Sequence, residues 1–249
     1  MRKLFNDGWE FFELPLDENT MYKDGAKVLL SPDQFFTDSL KYDYKKVRVP
    51  HDWMIGHTKD LYKNSVGLYK KTFELNEKQC SNQHVALYFE GVYMNSAVYV
   101  NGKKAGEWKY GYTAFEFDIS DLVQPGQNLV QVIAVYQNCN TRWYSGAGIF
   151  RDVTLISTPK TFLASDGVYF SAKKADSNPD DKKWNCYCEA EVTGDSSGCF
   201  VKSTLTDKNG NKKAPINFTF DNDLLTEWSD YEDPTTKCMY IQITGLSNY

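Results

Sequence analysis

Histidine is scarce, basic charge is in deficit, and long apolar runs are missing from this 249-residue chain. Each shortage closes off a class of function. Three histidines, His51, His57 and His84, and six scattered cysteines, Cys80, Cys139, Cys186, Cys188, Cys199 and Cys238, give no zinc-ligand spacing. Cys186 and Cys188 share a strand face but lack a second pair or a nearby histidine, so they read as two small apolar residues. The cysteines as a set read as reduced thiols rather than a disulfide framework. Lys plus Arg number 28 against 33 for Asp plus Glu, a net charge of -5, which leaves no electrostatic footprint for nucleic acid or an anionic membrane. No run approaches the roughly 18 to 20 apolar residues of a membrane span. The opening "MRKLFNDGWEFFEL" has neither the apolar stretch nor the small-residue cleavage site of a signal peptide, which points to a cytoplasmic location unless such a peptide has been removed. Gly-x-Ser-x-Gly, the Walker loop and Gly-x-Gly-x-x-Gly are absent too, so no catalytic residue, metal ligand or cofactor is expected from motifs.

Aromatic residues and period-two patterns are what the chain does have. Aromatics make up 15%, with 17 Tyr and 6 Trp, more than a core alone calls for and suited to β structure or a stacking surface. "VALYFE" (85 to 90) places Val85, Leu87 and Phe89 on one face, and "NLVQVIAV" (128 to 135) is apolar on both, as a strand between layers would be. Asn101-Gly102 between two extended runs predicts a type I′ hairpin, since both central residues need positive φ. "CYCEAEV" (186 to 192), "VKSTLTD" (201 to 207), "INFTF" (216 to 220) and "MYIQI" (239 to 243) repeat the alternation. The only helix expected is a short one near Pro32 to Tyr42.

The chain is therefore expected to be all-β with two domains. "RDVTLIS" (151 to 157) closes the first block, "TPKTFLASDG" connects, and "VYFSA" (168 to 172) opens the second. A boundary near 164 gives a jelly-roll-like β-sandwich over 1–164, followed by an immunoglobulin-like β-sandwich over 165–249 that is short of a strand.

Near the end of the first block lies "TRWYSGAGIFRDVTL" (141 to 155), where Arg142, Trp143 and Tyr144 precede three small residues, Ser145, Gly146 and Gly148. An aromatic-rich loop either plugs a core edge or presents a surface to a ligand. Packing is the plainer reading for Trp143 and Tyr144, and more so for Trp53 in "VPHDW", which precedes apolar Met54 and Ile55. Trp108, Tyr110 and Tyr112 flank Gly111 and form either an edge cluster or a stacking platform. Arg142 and Arg151 have Asp152 and Asp118 as candidate partners, and Asn217-Phe218-Thr219 fits a glycosylation acceptor without an export signal to support it. Nothing selects two catalytic carboxylates from 33.

Six segments in order, "FNDGWEF" (5 to 11), "RVPHDWMI" (48 to 55), "GLYKKTFEL" (67 to 75), "YFEGVYMNSAVYVNGKKAG" (88 to 106), "GYTAFEFDISDLVQPGQNLVQV" (111 to 132) and "RWYSGAGIFRDVTL" (142 to 155), resemble the sugar-binding jelly-roll domain of glycoside hydrolase family 2, in its β-galactosidase-like form. After 165 the resemblance passes to that family's immunoglobulin-like second domain. It implies a catalytic (β/α)₈ barrel with two glutamates working by the retaining mechanism. Such a barrel takes about 250 residues, and 165–249 cannot hold one. The chain is thus expected to be a non-catalytic part of a larger hydrolase, inactive alone, which buttresses the barrel and helps shape the sugar pocket. By the resemblance, Asp52, Trp53, Arg142, Trp143 and Tyr144 become substrate-binding or barrel-packing candidates. Gln137 stands in "VYQN" where relatives carry an Asp reaching toward the sugar; Gln can bond a hydroxyl but brings no charge. The expected partners are a β-galactoside, bound weakly or only together with the barrel, and a second copy of the chain, since uncovered apolar surface drives homo-oligomer formation. A free-standing carbohydrate-binding module and a plain β-sandwich scaffold remain open as rival readings.

Overall fold

The computed structural model describes residues 1–17, 21–23, 26–57, 59–60, 63–137, 145–174, 183–195, 197, 203–206, 231–232 and 240–243. Two compact units divide at Met1–Pro159 and Lys160–Tyr249. Position 164, the boundary expected from the sequence, falls inside a strand of the second unit.

Among the described residues twelve strands build the first unit: β1 (Arg2–Leu4), β2 (Trp9–Pro15), β3 (Tyr22–Lys23), β4 (Ala26–Lys27), β5 (Lys45–Val47), β6 (Ser65–Leu75), β7 (Gln83–Phe89), β8 (Ser96–Val100), β9 (Lys103–Trp108), β10 (Phe115–Asp118), β11 (Gly126–Tyr136) and β12 (Val153–Pro159). Apart from the small β3–β4 pair they form two antiparallel sheets, β1-β12-β7-β10 and β5-β2-β6-β11-β8-β9. The sheets pack face to face as a β-sandwich. Alternate residues fill the space between them: Val85, Leu87 and Phe89 from β7 meet Tyr69 and Phe73 from β6 and Val130 and Val132 from β11. Each such side chain contributes about 1.5–3 kcal/mol by leaving water. The Asn101-Gly102 turn joins β8 to β9 with φ of 50° and 81°, the positive values that a type I′ turn requires.

β11 is apolar on both faces because both are covered, as its sequence implies. Ile133 and Val135 point outward with Val66, Leu68, Ala97 and Tyr99 into a second apolar cluster, closed by the segment from Leu16 to Tyr44. Two 3₁₀ helices, Pro32–Phe35 and Ser39–Lys41, stand where one short helix was expected. Phe36 stacks on Tyr99 at 3.9 Å and Phe12 on Tyr42 at 4.4 Å, while Gln131 Nε2 donates to Ser39 Oγ at 2.7 Å. An additional short helix, α1 (Glu77–Asn82), has no amphipathic pattern to announce it. Its signal is the capping box, in which Asn76 Oδ1 accepts from Gln79 N and Gln79 Oε1 accepts from Asn76 N, both at 2.9 Å.

One inward position on β6 carries a charge. Lys71 lies 3.3 Å from the Phe5 ring centroid and donates to Phe5 O at 2.7 Å, and burial lowers its ammonium pKa to about 8.

The second unit is also β. β13 (Phe162–Lys174) pairs with β14 (Lys183–Thr193), which pairs with β16 (Tyr231–Glu232), and β15 (Ser203–Thr206) pairs with β17 (Tyr240–Ile243). β13 takes in Phe162 to Gly167, which the sequence reading left as connector, because Phe162 and Leu163 pair with Thr193 and Val192 before a bulge shifts the register at Val168. The segment 216–220 and the sequon at Asn217 lie outside the described residues.

Candidate functional site

Four segments meet beyond the Tyr136 end of β11: 49–57, 91–95, 108–113 and 145–150. His51 N donates to Ile149 O at 2.7 Å and Trp53 N to Ala147 O at 3.2 Å, so the His-Asp-Trp segment runs along the Gly-Ala-Gly segment. On its other side Gly148 exchanges two backbone bonds with Tyr93, at 2.9 and 2.7 Å. Val135 N donates to Met94 O at 3.0 Å, tying this layer to the sheet.

Asp52 is the clamp. It caps the 3₁₀ helix Trp53–Gly56, where Oδ1 accepts from Met54 N at 3.0 Å, and the same oxygen accepts from Ala147 N at 2.9 Å. The small residues of the 141–155 segment now have a reason. Gly146 has φ of 72°, and a Cβ there would approach Asp52 Oδ2 to 2.9 Å. At Gly148, with φ of 117°, a Cβ would collide with the Tyr69 hydroxyl and come within 2.6 Å of His51 O.

Beneath Gly148, Tyr69 O–H meets His51 Nδ1 at 2.8 Å. Burial pushes the His51 imidazole below its usual range against the pull of Asp52, and burial holds the Tyr69 phenol well above its own. Near neutral pH the two share a hydrogen bond between uncharged groups. Tyr69 faces inward by its alternation with Phe73, but the sequence offers no sign that its hydroxyl would reach this loop.

Trp53 is 5% exposed, stacks on Phe11 at 5.4 Å, donates from Nε1 to Ser65 Oγ at 2.9 Å and lies directly over Gly67. That is the packing role weighed for it, and it turns no open face to a ligand. Gln137, 4% exposed, accepts on Oε1 from Leu30 N and donates from Nε2 to Val28 O, both at 2.9 Å. It acts as a rung of β ladder made from a side chain. Asn95, which the motifs did not single out, completes the pattern by donating to Leu30 O at 2.6 Å. The site residues Arg142, Trp143 and Tyr144 lie outside the described residues; the described chain resumes beside them at Ser145, whose carbonyl faces the Tyr112 hydroxyl at 3.5 Å.

Of the suspected platform, Trp108 stacks on Phe115 at 5.5 Å with its N–H on Thr113 Oγ1, whereas Tyr110 and Tyr112 point outward. Of the acid partners considered for arginine, Asp152 accepts from Asn6 Nδ2 at 2.7 Å and Asp118 meets His84 Nδ1 at 3.3 Å. Among the described residues no group of three or more His, Cys, Asp or Glu could hold a metal ion, and no helix is long and apolar enough to cross a membrane.

A two-sheet antiparallel sandwich with an aromatic-rich loop layer at one end defines the class by fold, a β-sandwich domain. The chain belongs to glycosyl hydrolases family 2, whose sugar binding domain model matches residues 17–159. It is 32% identical over 146 residues to a β-galactosidase of Bacteroides ovatus, covering 54% of this chain and 17% of that protein. To a β-galactosidase of Clostridium acetobutylicum it is 30% identical over 195 residues, 72% of this chain and 21% of that one. The chain thus spans about a fifth of the length of these curated relatives. Among solved structures, a β-glycosidase from Bacteroides vulgatus superposes with a TM-score of 0.67 at 25% identity, covering 87% of this chain and 27% of that one. An uncultured Clostridium β-glucuronidase shares the fold with a TM-score of 0.70 at 19% identity, over 98% and 42%. The matched family model is described as a sugar binding domain.

Proposed function

We propose that this chain is the non-catalytic, sugar-pocket-shaping part of a retaining β-galactosidase, working beside a catalytic (β/α)₈ barrel. The observation that carries the reading is the Asp52 clamp. One carboxylate oxygen fixes both the Trp53–Gly56 turn and Ala147, so the described chain that follows Arg142, Trp143 and Tyr144 in sequence is anchored. Similarity to β-galactosidases of two organisms supports the choice of sugar. Arg142, Trp143 and Tyr144 then meet the galactoside or the barrel, while Asp52, Trp53 and Gln137 hold the loop and the sheet that carry them.

The test has two arms. The pure 249-residue chain should leave p-nitrophenyl β-galactoside intact; hydrolysis by it, with contaminants excluded, overturns the reading. Residues 17–159 exchanged into the Bacteroides ovatus β-galactosidase should give an active chimera in which Trp143→Ala or Tyr144→Ala raises KM by about tenfold, the worth of one stacked ring. An active chimera indifferent to both substitutions would remove the loop from the pocket. Saturable binding of lactose by the chain alone would favour the free-standing module.

A further inference from the structure

Asn-Gly occurs twice in the chain, at 101–102, where it turns β8 into β9, and at 209–210, outside the described residues. Asparagine is a thermally labile residue, and a following glycine leaves it most open to loss of its amide, because no Cβ shields the glycine nitrogen from the neighbouring carboxamide. Gly102 is exposed, and nothing lies within 4 Å of the place its Cβ would take. Asn101, by contrast, is held. Its Nδ2 donates to Leu122 O at 2.9 Å and to Asn128 Oδ1 at 2.8 Å, and its Oδ1 accepts from Leu129 N at 2.9 Å. Its backbone N–H donates to Leu129 O at 2.9 Å, and Asn128 Oδ1 is fixed in turn by Gln124 N at 2.8 Å. Cyclisation needs the carboxamide carbon to turn its face to the Gly102 nitrogen and to release Nδ2 as ammonia. Both steps are opposed while Nδ2 and Oδ1 hold these three bonds.

We propose that Asn101 is a covalent modification site gated by the amide ring at the Gly126 end of β11: opening of that ring, with the core intact, lets the Gly102 nitrogen convert the carboxamide into aspartate or isoaspartate. The Gly102 nitrogen bonds to Asn101 Cγ as it loses its proton, the Cγ–Nδ2 bond breaks, and ammonia leaves with that proton. Water, the one co-reactant, then opens the cyclic imide at either carbonyl. The product cannot close the ring again. A carboxylate has no N–H for Leu122 O or Asn128 Oδ1, and it sets an anionic oxygen against both acceptors. Isoaspartate also adds a methylene to the backbone of a two-residue turn whose φ values suit the type I′ geometry. The gate is local because the exposed turn has little packing to lose, whereas Val98 and Val100 beside it are fully buried.

The experiment incubates the full chain in mildly alkaline buffer, with and without denaturing urea, and follows aspartate and isoaspartate at position 101 by peptide mass spectrometry. Three side-chain hydrogen bonds should slow the folded chain by about a hundredfold relative to the unfolded one. In urea, positions 101 and 209 should convert at closely similar rates, which ties the difference to the fold rather than to the dipeptide. Asn128→Ala removes one of the three bonds and should speed conversion of Asn101 in the folded chain by about fivefold. Val153→Ala loosens the core beside Phe89, away from the ring, and should leave the rate unchanged. Asn101→Asp, the product with a normal backbone, should melt below the wild type at neutral pH. Circular dichroism confirms that each variant is folded, and the wild-type comparison needs no variant. Equal rates for Asn101 with and without urea, no acceleration by Asn128→Ala, equal acceleration by Val153→Ala, or an unchanged melting temperature in Asn101→Asp would overturn the proposal.

Discussion

β11 ends in two different kinds of closure. At its Gly126 end a ring of amides does the work: Asn128 Oδ1 accepts from Gln124 N and Asn101 Nδ2, its Nδ2 donates to Gln124 O and Gly126 O, and Asn101 Oδ1 accepts from Leu129 N. These partners lie within 28 residues of one another in the chain. At its Tyr136 end the bonds join Asp52 to Ala147, 95 residues apart, and Leu30 to Gln137, 107 apart. The first end folds from neighbours and is polar without charge; the second is assembled from distant segments around a carboxylate, an imidazole and a phenol. The end that the proposed function assigns to the ligand is the one that local sequence alone could not have shaped.

The sharpest way to break the comparison is one methyl group at each end. Gly148→Ala should cost about 3 kcal/mol or more, because unfavourable φ and overlap with Tyr69 and His51 O act together. Gly102→Ala, with φ of 81° and nothing within 4 Å of the added Cβ, should cost about 1 kcal/mol from φ alone. Equal melting-temperature shifts for the two would mean that the loop end is slack. Next in size, Asn128→Ala and Asp52→Ala should each cost about 1–3 kcal/mol in urea unfolding, since each strands partly buried backbone donors. Asp52→Asn keeps the accepting oxygen and should cost under about 1 kcal/mol.

A smaller effect separates the ends by pH. His51 is held below its unfolded pKa, so the unfolded chain binds the proton first; stability is complete above about pH 6.5 and declines as pH falls toward the lowered folded value. Hydrogen exchange corrected for intrinsic rate should therefore show Gly148 and Trp53 amides losing protection at pH 5 while Leu129 keeps it, and His51→Gln should abolish the difference. The least effect belongs to Lys71. Its folded pKa of about 8 lies below the unfolded value of about 10.4, so the wild type gains stability as pH rises between them. Lys71→Met should raise the melting temperature at pH 7, by less above pH 10, and should spare both ends of β11.

The sandwich was legible because its information is periodic. Val85, Leu87 and Phe89 face inward as their alternation requires, Asn101-Gly102 turns where its φ preferences place a turn, and the two-faced apolar run of β11 implied two covers. What covers the outer face was not legible, because the Leu16–Tyr44 segment is held by side chains in no local pattern. Family resemblance marked Asp52, Trp53 and Gln137 but carried no information on their neighbours within the sandwich: their polar atoms meet Ala147, Ser65 and the Val28–Leu30 backbone. The Tyr69 hydroxyl under Gly148 and the Gly111 approach to Tyr93 depend on three-dimensional proximity that no spacing encodes.

The cladding on the outer face also bears on the order of events during folding. Its anchoring bonds reach Asn95, Gln131 and Gln137, which lie 65, 92 and 107 residues further along the chain. Closing loops of that length yields nothing until the strands receiving them exist, so the hairpin of β8 and β9 and its pairing with β11 must precede it. Residues 16–44 are then the last part of the sandwich to arrive. During synthesis they emerge before those strands and wait, with Phe36 and Tyr42 uncovered, for partners that the ribosome has yet to make.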